Sequence, residues 1–241
     1  MNDLSIDITI PVINEEKRLE NGIFKTIEFL KKSSIRRYRI TIADNGSADS
    51  TEQIAKSLEK TYPCIRYIKV DKRGVGLALK KSWSDTNCDI IGYMDVDLAT
   101  DINHLIDVYT AMQRDDVDIV NASRLLPESK VFNRAVVREF TSRGLNFILR
   151  LMLNIKFTDG MCGFKFIKKA SYDKLAAFGL NNNDWFFCTE LLIKAEWLGL
   201  NIYEIPVRWR DDGDSRVKFF DTTYKYMNEI IRLKLYKDYR A

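Results

Sequence analysis

Ile90 to Asp97 reads Ile-Ile-Gly-Tyr-Met-Asp-Val-Asp, five apolar, aromatic or small residues followed by two carboxylates one residue apart. A run this short with no polar face suits the buried centre of a parallel sheet, where both sides of a strand are covered. Working back towards the N-terminus, β-rich runs alternate with helical patterns. Ser5–Ile10 places Ile6, Ile8 and Ile10 at period two, and Pro11 is expected to end that strand. From Glu15 to Ser33, Leu19, Ile23, Ile27 and Leu30 recur at helical spacing. Tyr38–Ala43 reads as the second strand, and Asp49 with Glu52 as a capping box opening a helix through Ile54, Ala55 and Leu58. Ile65–Val70 is the third strand and Gly76–Ser84 a short helix. Strand–helix alternation of this kind predicts an α/β, mostly parallel, doubly wound sheet.

Beyond Asp97 the chain changes character. Ile119–Ala122 is expected as a further strand, Pro127–Asn133 as a polar loop, and Arg134–Asn154 as a long helix. Phe164–Ile167 and Ile202–Arg208 are expected strands, flanking a helix that ends at Gly199. In the last segment Phe220, Tyr224, Met227, Ile231 and Leu235 form an apolar stripe beside Lys225, Arg232, Lys234, Lys237 and Arg240. Two roles suit that stripe, packing against the protein and lying on an anionic membrane surface, and packing is the simpler. The expected organisation is one domain over residues 1–241, with a C-terminal subdomain.

Composition narrows the chemistry. Across 241 residues, 38 Lys and Arg face 34 Asp and Glu, a net charge of +4 spread along the chain, so no nucleic-acid partner is expected. His104 is the single histidine, which excludes multi-histidine zinc sites, and it is not expected to be catalytic. Cys64, Cys88, Cys162 and Cys188 form no C-x-x-C pair and read as reduced, buried thiols. No signal sequence and no apolar run of spanning length is evident, so a cytoplasmic protein is expected.

In an open parallel sheet, ligands bind at the carboxyl ends of the strands. There the sequence places Pro11-Val12-Ile13-Asn14-Glu15-Glu16, Asp44-Asn45-Gly46-Ser47, Arg73-Gly74-Val75-Gly76 and Asp95-Val96-Asp97. Asp95 and Asp97 offer hard oxygen ligands for Mg²⁺ or Mn²⁺, with diphosphate oxygens completing the shell. The same D-x-D spacing recurs at Asp116/Asp118 and Asp212/Asp214, but only the Asp95 pair follows an apolar strand. Asp44 suits either a ribose or base contact or a turn role. Gly74 and Gly76 lack a third glycine, since Leu79 stands there, and a plain turn is the default reading.

These motifs, in this order, resemble the family 2 glycosyltransferases of the GT-A fold. Ser123-Arg124, Arg138, Arg143-Gly144, Asp159-Gly160-Met161-Cys162-Gly163-Phe164, Glu190-Leu191-Leu192 and Gly213-Asp214-Ser215-Arg216 extend the likeness to polyprenyl- and dolichyl-phosphate hexose synthases, over about residues 6–217. The resemblance implies a Rossmann-like GT-A domain with a nucleotide-sugar half (1–122) and an acceptor half (123–241). It implies that Pro11, Asn14, Glu15, Asp44, Arg73, Gly74 and Asp95 bind the nucleotide sugar. Asp95 and Asp97 would meet a Mg²⁺ or Mn²⁺ ion, and Arg124, Arg138, Arg143 and Arg216 a lipid phosphate acceptor. Asp97, Arg138 and Asp159 would lie at the reacting centre. Two positions depart from the group: Ala99 stands where mannose-type members often carry a glutamine metal ligand, and Ile13 where a tyrosine is usual.

The implied reaction is inverting transfer of a hexose from a UDP- or GDP-sugar to a polyprenyl phosphate. A phosphate monoester is already mostly dianionic at neutral pH, its second pKa being ~6, so orientation matters more than deprotonation. A hydroxyl acceptor on a glycan, lipid or protein is the alternative; it requires a base, and Asp159 and Asp184 are the candidates. A non-catalytic nucleotide-sugar binder is the third reading. Trp185 and Trp209 are candidate sugar-stacking residues, with core packing the rival role. A lipid acceptor implies peripheral contact with the inner face of the membrane, and a homo-oligomer is compatible with the sequence.

Overall fold

The computed structural model describes residues 3–211 and 219–240, with the side chains of 138, 219–223 and 237–240 left out. In chain order the elements are β1 (Ile6–Val12), α1 (Leu19–Lys32), β2 (Tyr38–Asp44), α2 (Thr51–Thr61), β3 (Ile65–Lys69), α3 (Val75–Ser84), β4 (Ile90–Met94) and α4 (His104–Met112). Then follow β5 (Ile119–Ser123), β6 (Lys130–Phe132), α5 (Val136–Leu153), β7 (Phe164–Lys168), α6 (Lys169–Phe178), α7 (Phe187–Trp197), β8 (Ile202–Pro206), β9 (Arg208–Arg210) and α8 (Phe219–Arg240).

Seven strands form one sheet in the order β3-β2-β1-β4-β7-β5-β8. All run parallel except β7, which pairs antiparallel with both neighbours. The strand order reverses between β1 and β4, so the crevice at their carboxyl ends is the place where such a sheet receives ligands. Because β7 runs the other way, its start meets the end of β4: Met94 pairs with Phe164, which brings Cys162–Gly163 beside Asp95.

Helices cover both faces. One core gathers Ile6, Ile8, Ile10, Ile23, Ile27, Ile40, Met94 and Phe164, and the other Leu79, Trp83, Tyr93, Leu149, Phe187, Leu192 and Ile230. The period-two reading of β1 gave one apolar face and one polar face, yet both are buried. On the polar face the Asp7 carboxylate accepts from Arg39 Nη2 at 2.7 Å and Thr41 Oγ1 at 2.8 Å, while Thr9 pairs with Ser82, so each buried polar group has a partner.

Several boundaries differ from the sequence reading. Pro11 does not end β1, which continues to Val12 with Pro11 level with Ala43. Pairing with β4 stops at Thr9–Tyr93, so the proline lies beyond the doubly paired part of the strand. The expected capping box does not form, because Glu52 is drawn to Lys56 and Lys69 while Asp49 accepts the Thr51 amide. The 127–133 segment contains β6, and Ile202–Arg208 divides into β8 and β9; β6 and β9 pair as a separate parallel ribbon.

In α8 the buried face is Tyr226, Ile230 and Leu233, while Tyr224, Ile231 and Leu235 of the expected packing stripe are exposed. The cysteines divide as well: Cys162 and Cys188 are buried, Cys64 and Cys88 half-buried, and all four are free thiols.

Candidate active site at the carboxyl edge of the sheet

The loops after β1 and β2 are stitched together. Asn14, in the left-handed region at φ 53°, donates its amide to Ser47 Oγ at 3.0 Å and accepts the Ala48 amide on Oδ1 at 2.8 Å. The Glu15 amide donates to Thr51 Oγ1 at 2.8 Å. Buried Asp44 takes the turn role, accepting Ser47 N at 2.8 Å and the Tyr67 hydroxyl at 3.0 Å. These contacts fix a loop pair bordering the crevice, with Pro11 at its base.

The turn after β3 is built for close approach. Gly74 donates its amide to Asn45 Oδ1 at 2.5 Å, and a Cβ on Gly74 or Gly76 would collide with the Asn182–Asn183 backbone. The glycines are therefore required by packing, which the plain-turn default does not capture. Buried Glu190 holds the opposing loop by accepting the amides of Asn181 and Asn182, the latter at 2.7 Å, and Lys194 neutralises it at 2.7 Å. Arg73 is exposed on this turn.

After β4, Asp95 lies half-buried and Asp97 exposed. Asp97 Oδ1 accepts the Ala99 amide at 2.9 Å, and Leu98 adopts a left-handed conformation at φ 55°, uncommon for a branched residue. A Cβ on Gly163 would overlap the Asp95 carboxylate, so glycine there makes the carboxylate's berth. Desolvation, with the charge of Asp97 beside it, pushes Asp95 up to about 7, while Arg124 and Lys165 pull the other way and Glu15 adds to the rise. Two like charges sharing a partly desolvated site suit a divalent cation.

Asp159 and Arg124, 35 positions apart, form a buried pair. Asp159 Oδ2 accepts from Arg124 Nε at 2.7 Å and Arg124 N at 3.2 Å; Oδ1 accepts from Arg124 Nη2 at 3.0 Å and Met161 N at 3.0 Å. Four donors fill the carboxylate. Burial would raise its pKa, but the guanidinium overrides this and holds it well below the usual carboxylate range. The Arg124 guanidinium sits 5.5 Å from the centre of the Trp209 ring, and that of Arg134 sits 5.7 Å from the same ring. Arg134 is almost enclosed, ion-paired to Glu139 at 2.7 Å, and burial followed by the charge of Arg124 lowers its pKa. Trp209 is buried beneath two cations, so core packing is its role; Trp185 is substantially exposed.

The remaining expected residues separate. Arg143 is exposed and pairs with Glu139 at 2.6 Å. Arg138 lies in the first turn of α5, its side chain outside the described residues, and Arg216 lies outside them altogether. His104 is structural: Nε2 accepts the Arg208 amide at 3.0 Å and Nδ1 meets Asp107 at 2.7 Å.

The sequence reading missed Arg134, which it placed at the edge of a helix. It also missed Glu204, which accepts Thr158 N and Asn121 Nδ2 at 2.8 Å, and Asn146, which accepts Gly160 N at 2.9 Å. Asn146 had a signal, a polar residue on the inward face of an apolar helix; Glu204 in an alternating strand had none.

Residues 7–176 match the model of the family described as Glycosyl transferase family 2, and the chain belongs to that family. It is 30% identical over 231 residues to glycosyltransferase AglD of Haloferax volcanii, covering 95% of this chain and 37% of that protein. It is 26% identical over 246 residues to a dolichyl-phosphate beta-glucosyltransferase of Dictyostelium discoideum, covering 97% of this chain and 75% of the relative, and 24% identical to the Saccharomyces cerevisiae protein of that name, covering 97% and 75%. Among solved structures, glucosyl-3-phosphoglycerate synthase from Mycobacterium tuberculosis, in complex with Mn²⁺ and UDP-glucose, superposes with a TM-score of 0.68 at 17% identity, covering 96% of this chain and 79% of that one. The fold is GT-A, and the chain is a glycosyltransferase.

Proposed function

We propose that the chain moves a hexose, with glucose favoured, from a nucleoside diphosphate sugar to a polyprenyl-type lipid phosphate, inverting the anomeric carbon. One observation carries the acceptor assignment. Asp159, one of the two candidate bases, has both oxygens saturated by four donors, as a structural anion does and a proton acceptor does not, while Asp184 is exposed to solvent. A hydroxyl acceptor needs a base; a phosphate dianion does not. The names of the dolichyl-phosphate relatives and the UDP-glucose complex of the structural neighbour support the same reading.

Mg²⁺ or Mn²⁺ fits the residues present. Asp95 supplies a carboxylate in a berth that a side chain at Gly163 would fill, and Asp97 supplies a second. One or two carboxylates plus the donor diphosphate would hold such an ion. When bound, the ion would offset charge building on the departing nucleoside diphosphate.

The loops of Asn14, Glu15 and Asp44 hold the nucleoside, and Arg73 and Gly74 take the diphosphate. An acceptor phosphate oxygen attacks the anomeric carbon as its bond to the diphosphate oxygen breaks, and the bonding pair leaves with the nucleoside diphosphate. Arg134, Arg138 and Arg216 orient the acceptor; Arg124 contributes field while its fork stays on Asp159.

A pH–rate profile tests this. The expected rate rises with the acceptor's second ionisation near pH ~6 and then stays level. For Asp159→Asn, kcat per folded molecule stays within about tenfold with the profile retained, whereas loss of a true base costs about 10²–10⁴-fold. A collapse of kcat in folded Asp159→Asn, with a new base-dependent limb in the wild-type profile, overturns the phosphate reading in favour of a hydroxyl acceptor.

A further inference from the structure

Helix α5 carries an apolar surface that the fold does not use. Val136, Val137, Phe140, Phe147 and Leu151 are all exposed, Phe140 and Leu151 at 72%. At 100° per residue they fall within an arc of about 100°, a continuous stripe rather than scattered side chains. Gly144 lies inside the arc with open space around it. Leu145, Leu149 and Leu153 on the opposite side enter the core.

Helix α8 repeats the arrangement. Tyr226, Ile230 and Leu233 enter the same core, and Tyr224, Ile231 and Leu235 face outwards, Tyr224 at 70%. The two helices pack against each other with their inward faces in one cluster, so their apolar outward faces look away from it together. A contiguous exposed apolar surface of this kind is unusual on a protein with no partner.

The charges around it select the partner. Arg143, Arg150, Lys225 and Arg232 are exposed at its margins and Lys234 is half-buried there. The described acids on these helices, Glu139 and Glu229, are already ion-paired with Arg143 and Arg232. Among the described side chains of the two helices, five cations against two anions leave a positive rim around an apolar centre. A second copy of the chain would set these cations against each other, whereas an anionic lipid surface satisfies both parts. No helix among the described residues is long and apolar enough to cross a membrane, so the contact lies in the interface plane.

We propose that the outward faces of α5 and α8 form one docking surface for an anionic lipid bilayer, with Phe140, Phe147, Leu151, Ile231 and Leu235 entering the headgroup boundary. The surface is coupled to the site from behind. On its inward side α5 places Asn146 against the Gly160 amide, next to Asp159, and α8 places Tyr226 edge-on against Phe186 at 5.0 Å. Docking therefore sets the height and tilt of the Asp159 turn relative to the lipid headgroups.

The test is vesicle flotation of the intact chain, using phosphatidylcholine vesicles with and without phosphatidylglycerol. Wild-type protein is expected to float with the anionic vesicles and to partition about tenfold more weakly onto neutral ones. Phe140→Ser/Phe147→Ser/Leu151→Ser is expected to lose about tenfold or more of anionic-vesicle binding, with melting temperature and circular dichroism unchanged because all three positions are exposed. Arg150→Gln/Lys225→Gln is expected to reduce the anionic preference alone. No flotation with either vesicle, or equal flotation of the triple variant, overturns the proposal; so does light scattering showing a wild-type dimer that the triple variant dissolves. Flotation is read without donor or acceptor, so it can succeed where the lipid-phosphate reaction fails, and the two readings are tested apart.

Discussion

Asp95 meets opposing demands, since the berth proposed to suit it to a cation also makes its own charge costly. Its ionisation is pushed up to about 7 by desolvation and by Asp97. In the metal-free protein the folded state keeps a proton that the unfolded chain has already released between the ordinary carboxylate range and pH about 7, so the group's penalty on folding grows as pH rises through that window. Metal-free Asp95→Asn is therefore expected to melt above wild type at about pH 8 and level with it at about pH 4, while losing the stabilisation that Mn²⁺ gives wild type; differential scanning fluorimetry reads both. By the same ionisation, Mn²⁺ affinity of the wild type is expected to fall as pH drops below 7, approaching tenfold per unit, measured by metal titration. An Asp95→Asn variant that still gains stability from Mn²⁺ would remove this residue from the metal site.

Asp159 has the opposite sign. Its pKa is held below the ordinary value, so its contribution to stability is present at neutral pH and is lost as acid protonates it. Neutralising one member of a buried pair leaves the other charge uncompensated, and Asp159→Asn is expected to cost about 3–5 kcal/mol in urea unfolding at pH 7. Activities of this variant are meaningful only per folded molecule.

At the scale of elements, β1 to β4 and their helices were legible because period two, period 3.6 and turn residues agree there. The position of the candidate site at the strand ends was readable for the same reason, since Asp95-Val96-Asp97 follows a run that a buried strand explains. The ribbon of β6 and β9 was not legible: three-residue strands carry too little pattern, and Lys130-Val131-Phe132 reads as polar loop. In α8 two apolar stripes share helical spacing, and spacing cannot say which one faces the protein. The glycines were visible, but their reasons were not, because a close approach depends on what arrives from elsewhere in the chain. Gly163→Ala is expected to push Asp95 aside and weaken Mn²⁺ binding at least tenfold in calorimetry, with the fold retained, a contact that lies outside any helix or strand interior. Gly92→Ala drives a Cβ into the Phe166 ring between two paired strands and is expected to cost about 1–3 kcal/mol by denaturant unfolding, without altering metal affinity per folded molecule.

At the scale of the whole molecule, the antiparallel β7 decides what the site contains. It returns the chain to the switch point from the opposite direction, setting Gly163 against Asp95, with Asp159 held on Arg124 just before it. The ordered motifs made the family legible, but they could not show that Arg124 is committed to Asp159 or that Arg134 shares the Trp209 ring, because those partners are joined only through the fold. The pairing occupies Asp159, one of the two candidate bases, and gathers the Arg124 and Arg134 cations at the Trp209 ring, which is the basis on which we propose a phosphate acceptor.

Organic extraction after incubation with Mn²⁺, a short polyprenyl phosphate and labelled UDP-glucose tests that claim most directly. Label is expected to move into the organic phase only when metal and lipid phosphate are both present, and the corresponding polyprenol, bearing a hydroxyl in place of the phosphate, is expected to take up none. Label transferred to the polyprenol as readily as to its phosphate would contradict that claim.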